Sequence, residues 1–220
     1  MIFYNGLKLV MQSESTSSSA GLRILALGDS YTIGEAVTEA ERWPAQLAAR
    51  LRKLGLPVSP PQIVACTGWT TGDLFAGITA AGLVGPFDLV TLLIGVNNQY
   101  RGLSPDQYRQ EFEDLLKRSV DYAGGSPDRV IVLSIPDWGL TPFAEGSDRS
   151  RITAEIEAFN AINKASADSA GARYVDIFPV SRMAASDAAY LAVDNLHPSG
   201  KMYAAWVELL LPQALIALGK

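Results

Sequence analysis

The chain of 220 residues is 48% hydrophobic and 19% charged, with a formal net charge of −5 at pH 7. Such a composition predicts one folded domain of ordinary size rather than a disordered chain. The negative net charge and the lack of a basic block argue against a nucleic-acid partner, because phosphate contacts need clustered lysine and arginine.

The sequence contains few groups that could bind a metal ion. One cysteine, Cys66, and one histidine, His197, exclude an internal disulfide and leave too few ligands for a zinc site. We therefore expect no metal ion. No apolar run approaches the ~20 residues of a membrane-spanning helix, so no membrane span is expected.

Residues 1–20 combine a broken apolar stretch with a serine-rich tract. Asn5, Gly6 and Lys8 interrupt the apolar run of about 7–15 residues that a secretory signal needs. We expect a mobile tail over residues 1–20, a single domain over residues 21–220 and a cytoplasmic location. A downstream start at a second methionine would produce the same pattern.

After the tail, short apolar runs alternate with segments of helical periodicity. The runs lack the polar alternation of a half-exposed strand, which is typical of strands buried on both faces of a parallel sheet. The predicted strands are Arg23–Leu27, Gln62–Ala65, Asp88–Ile94, Arg129–Ile135 and Tyr174–Ile177.

Four segments between or after these runs have apolar residues spaced as on one face of a helix. The first begins near Trp43, the second at Pro105, the third includes Ile152 and the last follows Ser199. Pro212 is expected to kink or end the last helix. Strand–helix alternation with short connections predicts an α/β/α sandwich on a parallel sheet, with ligands bound beyond the carboxyl ends of the strands.

A possible nucleophile and base lie at opposite ends of the domain. Ser30, in Gly28-Asp29-Ser30, directly follows the first predicted strand, and a serine hydroxyl becomes nucleophilic when a base accepts its proton. The histidine is His197, and Asp194, three residues earlier, could orient its ring as a general base requires. A helix N-cap at Ser30 and a turn-capping Asp194 are the alternatives.

Two further segments carry hydrogen-bond donors at strand ends. Gly68 follows the second predicted strand and lets backbone N–H groups approach a ligand. Asn97 follows the third, and its amide has two donors. Such donors can stabilise the oxyanion of a tetrahedral intermediate, although each segment would also fit an ordinary turn.

Taken in order, Ser30, Gly68, Asn97, Asp194 and His197 resemble the four sequence blocks of the SGNH hydrolases, also called the GDSL family of lipases and esterases. The match extends over nearly the whole predicted domain, and no block is missing. The Gly-x-Ser-x-Gly elbow of the α/β-hydrolase fold is absent.

The resemblance implies a flavodoxin-like sandwich around a five-stranded parallel sheet, and an enzyme that cleaves small-molecule esters or thioesters without a cofactor. Ser30 would be the nucleophile and would form an acyl-enzyme intermediate, with Asp194 and His197 completing a catalytic triad. The oxyanion hole would consist of the backbone N–H groups of Ser30 and Gly68 and the side chain of Asn97.

Two positions depart from the family pattern. Asn98 stands where the third block usually has aspartate, and Cys66 stands where the second block often has asparagine. Because Asn98 is not an oxyanion donor, we expect changed local hydrogen bonding with activity retained. We interpret Cys66 as a small buried hydrophobic residue.

Two residues beside these blocks are candidates for the substrate pocket. Arg101 could meet a substrate anion, although a surface salt bridge is favoured. Trp138 could form the wall of an acyl or sugar pocket, or close the core. No long apolar insertion separates the blocks, so no lid is expected and short acyl chains are favoured.

Two other functions would use the same residues differently. An acyltransferase would pass the acyl group to an acceptor other than water. A catalytically silent binding domain would leave Ser30 unreactive. The sequence identifies neither the natural substrate nor the oligomeric state.

Overall fold

The computed structural model describes residues 21–220, so the predicted tail over residues 1–20 lies outside the described residues. Within the described part, five strands form one sheet: β1 Ile24–Gly28, β2 Gln62–Ala65, β3 Leu89–Leu93, β4 Val130–Leu133 and β5 Arg173–Val175. All neighbouring strands are parallel, and their order is β2-β1-β3-β4-β5. This order is that of flavodoxin-like sheets, which confirms the predicted fold class.

Eight α-helices surround the sheet within residues 21–220. They are α1 Ser30–Ile33, α2 Trp43–Lys53, α3 Thr71–Ala80, α4 Val96–Tyr100, α5 Pro105–Tyr122, α6 Arg149–Ala170, α7 Phe178–Ser181 and α8 Gly200–Ala217. Helix α2 packs against α8, whereas α5 packs against both α3 and α6. Right-handed crossovers place these groups on opposite faces, because the chain moves outward from β1 to β2 and then back across the sheet.

The central strands are buried along their whole length. Every residue of β1, β3 and β4 is buried, as their unbroken apolar runs predict. Each predicted strand agrees with an observed strand to within two residues at either end. None of the helices in the described part of the chain is long and apolar enough to cross a membrane.

The last helix differs from its prediction. Helix α8 continues through Pro212 to Ala217, so the helix does not end at the proline, and only the alternative of a kink there stays a prediction. A proline inside a helix costs about 3 kcal/mol through a lost hydrogen bond and a clash with the preceding turn. Leu210 and Ala214, on either side of the proline, are both fully buried, and this packing stabilises the helix across it.

Candidate active site

Ser30 lies at the carboxyl end of β1, at the first position of α1. The turn before it depends on Gly28, because a Cβ there would lie 2.2 Å from Thr32 Oγ1 and 2.4 Å from Leu93 O. As the first helical residue, Ser30 has a backbone N–H without a partner inside the helix. The turn therefore presents both the hydroxyl and the N–H of Ser30 at the edge of the sheet.

Asp29 caps the helix that begins at Ser30. Its Oδ1 accepts a hydrogen bond from Tyr31 N at 3.0 Å, whereas its Oδ2 has no hydrogen-bond partner within residues 21–220. Burial raises the pKa of Asp29 to about 7, and the hydrogen bond from Tyr31 offsets only part of that effect. The carboxyl next to the serine is therefore largely uncharged below neutral pH.

The histidine loop, residues 194–197, positions His197 through Asp194. The Nδ1 atom of His197 lies 2.6 Å from Asp194 Oδ2, while Asp194 Oδ1 accepts hydrogen bonds from His197 N at 2.9 Å and Leu196 N at 3.0 Å. Burial alone would raise the pKa of Asp194, but these hydrogen bonds and the charge of the imidazolium outweigh burial and lower that pKa. Asp194 is therefore an ionised carboxylate that fixes the ring.

His197 and Ser30 lie close together in the structure although they are near opposite ends of the domain sequence. The His197 ring packs edge-on against Tyr31, the residue after the serine, with ring centroids 5.7 Å apart. Among the described residues no hydrogen bond joins Ser30 Oγ to His197. Contacts of this kind commonly tighten only when substrate binds.

Gly68 and Asn97 belong to neighbouring loops that hydrogen bonds hold together. Gly68 has a φ of +83°, which favours glycine, and a Cβ there would meet only Arg101 Nη2 at 3.8 Å. Asn97 Nδ2 donates to Trp69 O at 2.9 Å, and Arg101 Nη2 donates to Gly68 O at 2.6 Å. The loop after β2 is thus fixed against α4, and the second N–H of the Asn97 amide has no acceptor within residues 21–220.

Arg101 also lies 3.8 Å from Asp73, and both side chains are about half exposed. The favoured surface ion pair therefore forms, but the contact with Gly68 is an additional one that the sequence did not predict. Cys66 is exposed, so its interpretation as a small buried residue is wrong. It follows β2, which is an edge strand, and no element within residues 21–220 covers it there.

Asn98 has a specific set of partners. Its Oδ1 accepts from Thr71 N at 3.1 Å and its Nδ2 donates to Thr71 Oγ1 at 2.7 Å. The Thr71 hydroxyl in turn donates to Glu111. Because its proton is used by Glu111, Thr71 Oγ1 needs a donor, which an asparagine supplies and an ionised aspartate would not.

Ser30, Gly68, Asn97 and His197 line one cavity of about 180 Å³, and Asp194 lies behind His197. Among residues 21–220, none of those that line this cavity carries a permanent charge. The other lining residues are Tyr31, Thr67, Val96, Tyr100, Trp138, Phe143 and Leu196. All five predicted site residues therefore come together.

The sequence did not single out Phe143 as a site residue. It lies in a short 3₁₀ turn, Pro142–Ala144, between β4 and α6, and no motif marks it. Trp138 both lines the cavity and is buried, so its two alternative interpretations are compatible. Within residues 21–220, no group of three or more His, Cys, Asp or Glu side chains could hold a metal ion.

A serine at a strand end, an aspartate–histidine pair and amide donors around one cavity are typical of an α/β serine hydrolase. The profile of the GDSL-like lipase/acylhydrolase family matches residues 26–205. The chain belongs to this family. No curated protein sequence matches the chain.

Solved structures share the fold. The crystal structure of TesA is 21% identical, with a TM-score of 0.70 over 89% of this chain and 99% of that chain. The psychrotrophic esterase EstA from Pseudoalteromonas sp., inhibited by monoethylphosphonate, is 16% identical, with a TM-score of 0.68 over 90% and 99%. Axe2, an acetylxylan esterase from Geobacillus stearothermophilus, is 19% identical, with a TM-score of 0.64 over 91% and 95%.

Proposed function

We propose that this protein hydrolyses carboxylic esters or thioesters through an acyl-enzyme intermediate on Ser30. The observation that carries the proposal is the shared cavity: Ser30 opens into the space lined by His197, whose ring Asp194 fixes from behind. Membership of the GDSL-like lipase/acylhydrolase family supports the same reaction class.

In the first half of the proposed reaction, His197 accepts the proton of Ser30 while Oγ attacks the ester carbonyl. Negative charge then develops on the carbonyl oxygen. The backbone N–H groups of Ser30 and Gly68 and the free N–H of Asn97 would donate to that oxygen. His197 then gives the proton to the departing alcohol or thiol.

In the second half, a water molecule attacks the acyl carbonyl while His197 accepts its proton; the bond to Ser30 Oγ then breaks, His197 returns the proton to Oγ, and the carboxylic acid leaves. The carboxylate of Asp194 stabilises the imidazolium that forms in both halves. The hydrogen bonds from Ser30 N, Gly68 N and the Asn97 side chain strengthen as the oxyanion forms. Loss of one of these donors is therefore expected to lower kcat more than it raises KM.

A fluorophosphonate probe tests the nucleophile directly. We expect covalent labelling, located at Ser30 by peptide mass spectrometry, and loss of at least about 10³-fold in ester hydrolysis in Ser30→Ala. Ser186→Ala is the matched control, because Ser186 is exposed, does not line the cavity, and its hydroxyl donates only to Met183 O within residues 21–220. Labelling elsewhere, or a Ser30→Ala enzyme within tenfold of the original activity, would exclude the proposal.

The two alternative functions give other outcomes. A silent binding domain predicts no labelling at all. An acyltransferase predicts that an added alcohol or thiol, rather than water, accepts most of the acyl group.

The cytoplasmic location stays a prediction, which fractionation of the source cells tests.

A further inference from the structure

Three aromatic side chains form one side of the cavity beside Ser30: Tyr100, Trp138 and Phe143, here called the aromatic wall. Trp138 is in the middle. Its ring centroid lies 5.4 Å from that of Tyr100 and 6.0 Å from that of Phe143, and both outer rings are inclined at 65° to the indole. These are the distances and angles of edge-to-face aromatic pairs.

The central ring is fixed, whereas the outer rings are open to solvent. Trp138 is buried, and its Nε1 donates to Gln99 Oε1 at 2.9 Å. Gln99 is held in turn by a 2.7 Å hydrogen bond from its Nε2 to Glu155 Oε2. Tyr100 and Phe143 are 59% and 49% exposed. The fixed ring of Trp138 is therefore flanked by two aromatic rings, those of Tyr100 and Phe143, whose exposed surface a ligand could bury.

The two ends of the aromatic wall lie next to two different parts of the proposed reaction centre. Tyr100 is three residues after Asn97 on α4, at the proposed oxyanion side. Phe143 N donates to Asn195 O at 3.4 Å, which joins the other end of the wall to the histidine loop. A substituent on an ester bound at Ser30 therefore has these rings beside it.

The cavity also selects by charge and size. No charged side chain of the described residues lines it, and Val96 and Leu196 add further apolar surface. Its volume of about 180 Å³ is close to that of an apolar protein cavity of ~150 Å³ that holds one benzene ring. Such a space suits a neutral substrate with a single ring better than a long acyl chain.

We propose that the aromatic wall binds a phenyl ring of the substrate, so that the preferred esters carry this ring one or two bonds from the ester group. This inference rests on the proposed ester hydrolysis. The ring could belong to the acyl or to the alcohol part, and the recognition is the same in both cases. Aromatic rings attract each other beyond the area they bury, whereas a saturated ring of similar shape gains only from burial.

Two pairs of esters separate the two sources of the ring. The acyl pair is ethyl phenylacetate and ethyl cyclohexylacetate, and the alcohol pair is benzyl acetate and cyclohexylmethyl acetate. The acyl pair shares ethanol as its leaving group, and in both pairs each enzymatic rate is divided by the rate of alkaline hydrolysis of the same ester, which removes the difference in intrinsic reactivity. Hydrolysis is followed by titration at constant pH. We expect the phenyl ester to have a kcat/KM about fivefold or more above its cyclohexyl partner in at least one pair. A ratio of one or below in both pairs would overturn the inference, because the more apolar cyclohexyl ring benefits from burial alone.

Variants test whether the preference comes from the aromatic wall. Tyr100→Leu and Phe143→Leu each keep an apolar side chain but remove an outer ring, and both positions are exposed enough to tolerate the change. The phenyl-to-cyclohexyl ratio is expected to fall in each and to approach one in the double variant. Phe75→Leu is the matched control, since Phe75 is 43% exposed on α3 and packs under Arg118 outside the cavity. A double variant that keeps the original ratio would contradict the inference.

A binding measurement separates this inference from the proposed hydrolysis. Phenylacetamide and cyclohexylacetamide are neutral amides that can be titrated calorimetrically into the Ser30→Ala variant, where no acyl-enzyme forms. Tighter binding of phenylacetamide, lost in the Tyr100→Leu/Phe143→Leu background, supports ring recognition whether or not any ester is hydrolysed. Equal binding of the two amides would exclude it, even in an active esterase.

Discussion

The turn that holds Ser30, residues 28–30 (the nucleophile turn), and the histidine loop each contain an aspartate, and the two carboxyl groups have opposite electrostatic environments. Asp29 is fully buried, and one of its oxygens has no partner within residues 21–220. The side chain of Asp194 is 33% exposed, and it accepts two backbone hydrogen bonds besides its contact with the imidazole. Burial raises the pKa of Asp29 to about 7, whereas the hydrogen bonds of Asp194 outweigh its partial burial and lower its pKa.

The difference shows that the number of donors and the access of water decide the charge of a carboxyl group, not its distance from the serine. In the proposed reaction, a neutral Asp29 would add no negative charge next to the attacking oxygen of Ser30. An ionised Asp194 would lie where positive charge develops on the imidazole. On that proposal Asp29 shapes the turn that holds Ser30, and Asp194 supplies the negative charge that His197 needs.

The largest expected effect comes from Asp194→Asn. An amide cannot stabilise the imidazolium and favours the wrong tautomer of the ring, and such a change lowers kcat by about 10⁴-fold in serine proteases with an equivalent pair. We expect a similar loss of kcat on ethyl acetate with little change of KM. Asp29→Asn, the same chemical change in the other region, should lower kcat far less. Equal losses in the two variants would remove the functional distinction between the aspartates.

The sheet was predictable because its strands follow one simple rule: residues buried on both faces form unbroken apolar runs. Helix α3 was not predicted, because Gly72 and Gly77 lower its helix propensity. Other contacts compensate. A reciprocal capping box between Thr70 and Asp73 begins the helix, and the ring of Trp69 occupies the place that a Cβ at Gly77 would need.

The predicted site residues come together because each one lies within a short motif at a strand end or in a tight turn, where local sequence determines position. The aromatic wall has no such signal. Tyr100 and Phe143 are more than forty residues apart and become neighbours only through Trp138. The raised pKa of Asp29 was likewise hidden, since it results from the elements packed over the turn rather than from Gly-Asp-Ser itself.

The second expected effect is on stability and tests Asp29. Its folded pKa of about 7 is above the ordinary value of 3.8, so the folded state binds more protons than the unfolded state between these two values. The contribution of Asp29 to stability is therefore fully present below about pH 4 and is lost as pH rises through 7. At about 1.4 kcal/mol per pH unit, the loss approaches about 4 kcal/mol.

Urea unfolding of the original protein and of Asp29→Asn between pH 4 and 8 measures this contribution. The asparagine keeps an acceptor for Tyr31 N but has no proton to lose. As the pH rises from 4 to 8, the unfolding free energy of the original protein should therefore fall relative to that of Asp29→Asn. The expected change in the difference is up to about 4 kcal/mol. Parallel curves would mean that Asp29 is already ionised in the folded protein at pH 4.

The smallest expected effect has the opposite sign and belongs to Asp194. The folded pKa of Asp194 is below its ordinary value of 3.8, so the folded state binds fewer protons than the unfolded state. The contribution of Asp194 to stability is therefore present above pH 3.8 and is lost as the pH falls through the folded pKa. Because a third of the side chain is exposed, solvent screening keeps this contribution below that of Asp29. The unfolding free energy of Asp194→Asn, measured from pH 6 to pH 2.5, should approach that of the original protein as the pH falls. A gap that widens toward low pH would mean that Asp194 is protonated in the folded state, like Asp29, and that the two regions do not differ in the way their hydrogen bonds indicate.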